Sequence, residues 1–130
     1  MILPEKIEGT GVASWEYDPV SAIVPKVGTA MAYTSGKLAI CGATAVPTHI
    51  CMREATATAT AGDLIPVIRV TDDIVFRTKS TVSMASINPG DKVTLSADGR
   101  AVTATTTSGV AEVVKVIDPA AGGDVLVRFK

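Results

Sequence analysis

A chain of 130 residues has room for one domain, alone or with a flexible segment, but not for two full domains. Its 12 basic and 13 acidic residues give a net charge of −1, and the basic residues are scattered singly, which excludes the basic patch of a typical nucleic-acid-binding surface. Val and Ile together number 27 and Thr 16, against 5 Leu, 5 Glu and no Gln, and this excess of β-branched residues predicts an all-β protein.

The sequence gives no sign of a leader or a membrane segment. Residues 1–8 lack a basic region followed by a continuous apolar stretch, and no apolar run in the chain approaches the ~20 residues needed to cross a bilayer. We therefore expect a soluble protein that is made in a cytosol and has no membrane partner.

Residues 1–24 differ in composition from the rest of the chain. They contain the only Trp, one of the two Tyr, two Gly and two Pro, without sustained hydrophobic periodicity. We interpret them as an extended N-terminal arm and residues 25–130 as the body. Apolar side chains without a core of their own are candidates for contact with a partner, and the alternative is that Trp15 and Tyr17 fold back over the open end of the body. The arm residues expected to bind a partner are Ile7, Trp15, Tyr17, Val20 and Ile23.

From Pro25 onward, short apolar runs alternate with Gly and Pro turns about every ten residues, a spacing typical of many-stranded sandwiches and barrels. The turn at 71–73 predicts a tight hairpin between strands at 64–70 and 74–79. Residues 54–63 alternate Ala and Thr, and we expect an exposed loop or edge there, or else a contact surface for another chain. The remaining strands are expected at 29–33, 37–41, 48–54, 92–96, 100–105, 109–117 and 124–129.

Two stretches of the body, residues 25–70 and 87–129, follow the same order of elements. Each begins with a Gly, a strand, a turn containing Gly, a basic residue and a second strand, and each ends at a Gly-Asp turn before an apolar strand with one Arg. The pattern indicates an internal duplication. We therefore expect a small β-barrel or sandwich built from two similar β-meanders, in which closure protects the strand edges.

Residues suited to catalysis or metal binding are sparse. The single His, His49, shares a predicted strand face with Cys51 and Arg53, but further metal ligands are not evident, and the helix N-terminus that often activates a cysteine is missing. Cys41 and Cys51 are interpreted as buried thiols, with a disulfide across a hairpin near Val46 as the alternative. We expect no enzymatic activity, no cofactor and no bound metal.

The order of elements resembles the small β-barrel head decoration proteins, or capsid cement proteins, of tailed bacteriophages. The resemblance is based on the arm through Trp15 and Tyr17, the strand-turn-strand unit at 27–39, its second copy beginning at 87–93, and the closing segment 123–129. These features cover most of the chain, and each is a degenerate pattern without a diagnostic residue.

The resemblance implies a protein that binds the major capsid protein on the outer surface of a phage head, commonly as a homotrimer, and stabilises the shell against internal DNA pressure. In such proteins the N-terminal arm often supplies a strand or a wedge to the capsid protein. The expected location is the virion, after synthesis in the host cytoplasm. The alternative function is a stand-alone β-sandwich binding module, for example for carbohydrate, against which the aromatic content of only 4% argues.

Overall fold

The computed structural model describes residues 1–8 and 13–130, so residues 9–12 of the predicted arm lie outside the described residues. None of the described residues is helical, and the all-β prediction is confirmed. In these same ranges, no helix is long and apolar enough to cross a membrane. Ten strands within them form two antiparallel sheets of five strands each, an arrangement consistent with a β-sandwich.

The first sheet combines the N-terminal strand with strands from the second half of the chain. In spatial order it contains β1 (Leu3–Ile7), β7 (Ile74–Lys79), β10 (Asp124–Phe129), β9 (Ala111–Val116) and β8 (Lys92–Val93). The second sheet is built from the first half of the chain. In spatial order it contains β2 (Trp15–Pro19), β6 (Leu64–Arg69), β5 (His49–Cys51), β3 (Ala30–Thr34) and β4 (Lys37–Ile40).

The two sheets pack against each other over the main hydrophobic core. Phe76 of β7 and Phe129 of β10 lie in this core with their ring centroids 5.4 Å apart, and Ile50 of β5 enters it from the second sheet. Burial of one such large apolar side chain contributes about 1.5–3 kcal/mol to folding. The sheets do not form a closed barrel, which was the other architecture expected from the sequence.

The second sheet also encloses a small core on its opposite face, because the sheet curls. Val20, directly after β2, forms a parallel bridge with Leu38 of β4, and the Ser21 N–H donates to the Leu38 carbonyl at 2.9 Å. The two edge strands of this sheet therefore approach each other around buried side chains. These side chains, which we call the inner cluster, are Val20, Met31, Leu38, Cys51, Ile65 and Val67.

The N-terminal segment does not stand apart from the body. β1 pairs with β7 and β2 pairs with β6, so the described parts of residues 1–24 supply one edge strand to each sheet. Ile2 and Val20 are fully buried in the protein's own cores. The interpretation of this segment as an arm without a core of its own is therefore wrong for these residues, because main-chain pairing holds short edge strands without any hydrophobic periodicity.

Two predicted connections are also wrong. Residues 64–70 and 74–79 do not form a hairpin, because β6 lies in the second sheet and β7 in the first, and the turn at 71–73 carries the chain between them. The first half of the body is not a meander either, because β5 pairs with β3 and not with β4. The β3–β4 hairpin is formed as predicted, and Ser35 and Gly36 have φ angles of 51° and 76° in its turn.

The Ala- and Thr-rich segment at 54–63 forms a loop, which is one of the alternatives expected from the sequence. Most of its side chains are exposed. The Ala55 and Ala59 N–H groups donate to the Pro25 and Ile23 carbonyls at 2.9 and 2.8 Å, and Ala59 packs against the inner cluster. The loop therefore covers one side of the curled sheet.

Gly109 lies where the chain passes closest to β8. A Cβ atom at this position would be 2.1 Å from the Lys92 carbonyl oxygen, and the next residue, Val110, donates its N–H to the Val93 carbonyl at 3.0 Å. Gly109→Ala is therefore expected to force the two segments apart and to lower the free energy of unfolding by about 1–3 kcal/mol, measured by urea denaturation. Gly42→Ala is the control, since a Cβ there meets no atom within 4 Å. Equal losses in the two variants would contradict this close approach.

Candidate functional site

Strand β2 reverses the usual polarity of an edge strand. Trp15 and Tyr17 point outward and are 62% and 70% exposed, whereas Glu16 and Asp18 point to the inner face of the curled sheet, where both carboxylates meet His49. Because side chains on a strand alternate between the two faces, one register places two carboxylates inside and two aromatic rings outside. The candidate functional site therefore has an inner, charged side and an outer, aromatic side.

The inner side is a group of three residues, Glu16 and Asp18 from β2 and His49 from β5. The His49 Nε2 atom lies 3.2 Å from Asp18 Oδ2 and 3.5 Å from Glu16 Oε2. The His49 side chain is only 5% exposed, against 17% for Asp18 and 21% for Glu16. In the hydrogen-bonding order β6 lies between β2 and β5. The sheet curls inward, and the side chains of β2 and β5 therefore meet across β6.

Arg69 and Tyr33 surround this triad. The Arg69 Nε–H donates to Glu16 Oε1, and the Tyr33 ring packs edge-on against His49 with the ring centroids 5.5 Å apart. The Arg69 guanidinium lowers the pKa of Glu16 to about 2, so this carboxyl is ionised at neutral pH. Desolvation, followed by the charge of the nearby Asp18, raises the pKa of the Tyr33 hydroxyl.

The two ring nitrogens of His49 have different surroundings. Nδ1 lies 2.9 Å from the Thr48 hydroxyl oxygen, and that hydroxyl donates toward the Met31 carbonyl at 3.5 Å. Nε2 points away from this hydroxyl, toward the carboxylates of Glu16 and Asp18. Nε2 and Asp18 Oδ2 are at ion-pair distance, but among the described residues neither atom makes a hydrogen bond of ordinary geometry. Such a group of atoms can share a proton or bind a cation.

The outer side consists of Trp15, Tyr17 and Leu64, which we call the aromatic margin. Leu64 of β6 pairs with Pro19 and is 60% exposed. Ile50 lies on the same face of the sheet as the margin residues. Ile50, on the central strand β5, packs in the main core, whereas the margin residues lie at the β2 side of the sheet and are exposed. Trp15 and Tyr17 therefore do not fold back over the body, which was the alternative expected for them.

The other three candidates for partner binding lie away from this margin. Val20 is fully buried in the inner cluster and bridges to Leu38, so the structure contradicts its assignment to a partner surface. Ile7 is half-buried against the main core, and Ile23 is half-buried against the inner cluster. Of the five candidates, only Trp15 and Tyr17 present most of their side chains to solvent.

The structure separates the two cysteines from each other. Cys51 shares a strand face with His49, as predicted, and lies in the inner cluster, whereas the exposed Arg53 follows the end of β5. Cys41 belongs to the main core, on the other face of the sheet. Both thiols are free, so the disulfide considered as an alternative is not formed.

Sequence reasoning missed the carboxylates beside His49. Glu16 and Asp18 were assigned to an arm without periodicity, so no ligand was expected near the imidazole. The signal that could have found them was the alternation Trp15-Glu16-Tyr17-Asp18, which has the strict two-residue period of a strand. The order of residue types alone does not show that the acidic face is the inner one.

Comparison of the sequence with known protein families and with curated proteins gives no match. Neither side of β2 therefore has a role assigned by a related protein.

The two thiols offer a direct check of the packing around β5. Burial raises the pKa of Cys41 to about 12 and also raises the pKa of Cys51, so neither thiol forms the reactive thiolate at pH 8. We expect neither to react with a thiol-specific chromogenic disulfide in the folded protein, and both to react after unfolding in urea. A protein that shows no free thiol in urea without reductant would instead contain the disulfide.

Proposed function

We propose that this protein is a capsid decoration protein that binds the major capsid protein on the outer surface of a phage head and stabilises the shell. Its location is the virion, after synthesis in the host cytoplasm. The observation that supports this function best is the aromatic margin, where Trp15, Tyr17 and Leu64 are each at least 60% exposed. Clustered aromatic and aliphatic side chains of this size are enriched at protein–protein interfaces. The role needs no catalytic activity, cofactor or nucleic acid.

Trp15 and Tyr17 of the margin lie on an edge strand, which suits attachment to another chain. β2 is paired through Trp15–Pro19 with β6 on one side, and it is the terminal strand of its sheet on the other. In our proposal a segment of the capsid protein pairs with the β2 edge ahead of the Val20–Leu38 bridge, while Trp15 and Tyr17 enter apolar pockets beside it. The decoration protein thus presents a fixed strand, in place of the free arm that the sequence suggested.

We also propose that the body is a duplicated unit. In the first half the spatial order of strands is β6-β5-β3-β4. In the second half the order is β10-β9-β8, and the antiparallel bridge between Leu95 and Val102 continues it at the position of the β3–β4 hairpin. The matching order supports duplication of a unit of four strand segments. In each copy the third segment along the chain pairs with the first, in place of the expected meander.

Substitution of the margin tests the proposed function. Trp15→Ala and Tyr17→Ala are each expected to weaken binding to expanded phage heads at least ~30-fold, because an aromatic anchor at an interface commonly contributes ~2 kcal/mol or more. The melting temperature should stay within about 2 °C of the wild type, since both side chains are largely exposed. The measurement is cosedimentation with undecorated heads of the phage or prophage that carries the gene.

The matched controls are Val82→Ala and Ile117→Ala, which truncate exposed apolar side chains away from β2. They should bind heads as the wild type does. Equal binding by the control and margin variants would exclude the margin as the capsid contact. Point substitutions are needed here because deletion of residues 1–18 would remove β1 and β2 and leave both sheets without an edge strand.

We further propose that the protein acts as a homotrimer. Apolar side chains outside the margin are exposed as well, including Tyr33 (47%), Ile40 (40%) and Val46 (49%), and contacts between subunits would cover such surface. Light scattering is expected to give three times the 13.3 kDa chain mass at micromolar concentration. A single copy bound at each position of the assembled head would contradict this arrangement.

The aromatic margin also favours the alternative function, a carbohydrate-binding module. Trp15 and Tyr17 lie two residues apart on one face of a strand, and exposed aromatic rings in such a row can stack on successive sugar rings. Pull-down with insoluble polysaccharides separates the two functions. Retention on a polysaccharide that is lost in Trp15→Ala, together with no binding to heads, would support the module instead.

A further inference from the structure

We propose that Glu16, Asp18 and His49 bind one divalent transition-metal ion, for which Zn²⁺ is the best match. The three residues lie on the inner face of the curled sheet, opposite the aromatic margin. The inference therefore does not depend on the proposed capsid function and can be tested on the isolated protein.

The first support is the spacing of the ligand atoms. Zn²⁺ binds imidazole nitrogen and carboxylate oxygen at about 2.0–2.2 Å, so two ligands of one ion stand about 3.0 Å apart at a right angle and about 3.4 Å apart at a tetrahedral angle. His49 Nε2 is 3.2 Å from Asp18 Oδ2 and 3.5 Å from Glu16 Oε2. One ligand atom from each residue lies within 4.8 Å of the other two. A single ion fits among these atoms with only small side-chain movements.

The second support is the burial of ligand atoms that have no other partner. His49 is 95% buried, and its Nε2 faces Asp18 Oδ2 without a hydrogen bond of ordinary geometry. The Arg69 guanidinium donates to Glu16 Oε1, and the other carboxylate oxygen, Oε2, faces the imidazole. Two carboxylates therefore face Nε2, and both Nε2 and Asp18 Oδ2 are buried atoms without a hydrogen-bond partner among the described residues. A bound cation would give these buried atoms the partner that they lack.

The identity of the ion is set by the ligand types. Ca²⁺ takes six to eight oxygen ligands and Mg²⁺ keeps several waters, whereas an imidazole nitrogen combined with carboxylates suits Zn²⁺ and its first-row neighbours. The Thr48 hydroxyl at Nδ1, 2.9 Å away, orients the ring in the way that outer partners of ligating histidines do. The bound ion would connect the edge strand β2 to β5 across β6.

The experiment uses the full-length protein, freed of metal with a chelator that is then removed. Titration with Zn²⁺ against a chromophoric chelator should give one ion per chain, and excess Zn²⁺ should raise the melting temperature by at least about 5 °C, because an ion that binds only the folded state stabilises it. Co²⁺ should give the visible absorption of a low-symmetry nitrogen and oxygen site without a thiolate charge-transfer band. A wild-type protein that binds neither ion, or a thiolate band that places the ion at a cysteine, would overturn the proposal.

Variants locate the ion within the fold. Asp18→Asn and His49→Gln are expected to lose at least ~90% of the Zn²⁺ affinity and the rise in melting temperature, since each removes one of three ligands. The matched control is Glu5→Gln, because Glu5 on the edge strand β1 pairs with Arg77 of β7 much as Glu16 on β2 pairs with Arg69 of β6. Glu5→Gln should retain full binding. Unchanged affinity in both ligand variants would overturn the proposal, and if either variant fails to fold, the Co²⁺ spectrum of the wild type decides.

Discussion

The register of β2 against β6 decides which side chains line the inner face of the second sheet and which face solvent. Pairing with β6 places Glu16 and Asp18 on the inner face of the curled sheet and Trp15 and Tyr17 on the outer face. A shift by one residue would exchange the two faces and force aromatic rings into a close-packed interior. Val20 opposes such a shift, because it is fully buried on the same face as the carboxylates and bridges to the far edge of the sheet.

The curl of the second sheet gives each face of β2 a different chemical character. Inside, the carboxylates of the first strand of the sheet meet His49 of the third strand across β6, and the curl shortens the distance between them. Outside, the same strand extends the apolar face of the sheet beyond the main core and exposes it to solvent. Because β2 is hydrogen-bonded to β6 over Trp15–Pro19, the backbone that carries the exposed rings is already ordered, which would reduce the entropic cost of the binding that we propose.

The N-terminal segment gives each sheet its last strand. β1 completes the first sheet beside β7, and β2 completes the second beside β6. Both N-terminal strands lie outside the duplicated unit that we propose. Ile2 ties the first of them to the main core, and Val20 ties the second to the inner cluster.

The sequence by itself determined the all-β class, because β-branched residues and regularly spaced Gly turns favour strands wherever those strands pair. It also located most strands of the body and the β3–β4 hairpin, whose turn chemistry is local. The tertiary structure alone decided the two edge strands in residues 1–24, the separation of β6 from β7, and the meeting of Glu16 and Asp18 with His49. These three features depend on which distant segment a strand pairs with and on how far the sheet curls. Strand pairing is made by main-chain hydrogen bonds, which are the same for nearly every residue type, so the sequence does not show the pairing or the curl.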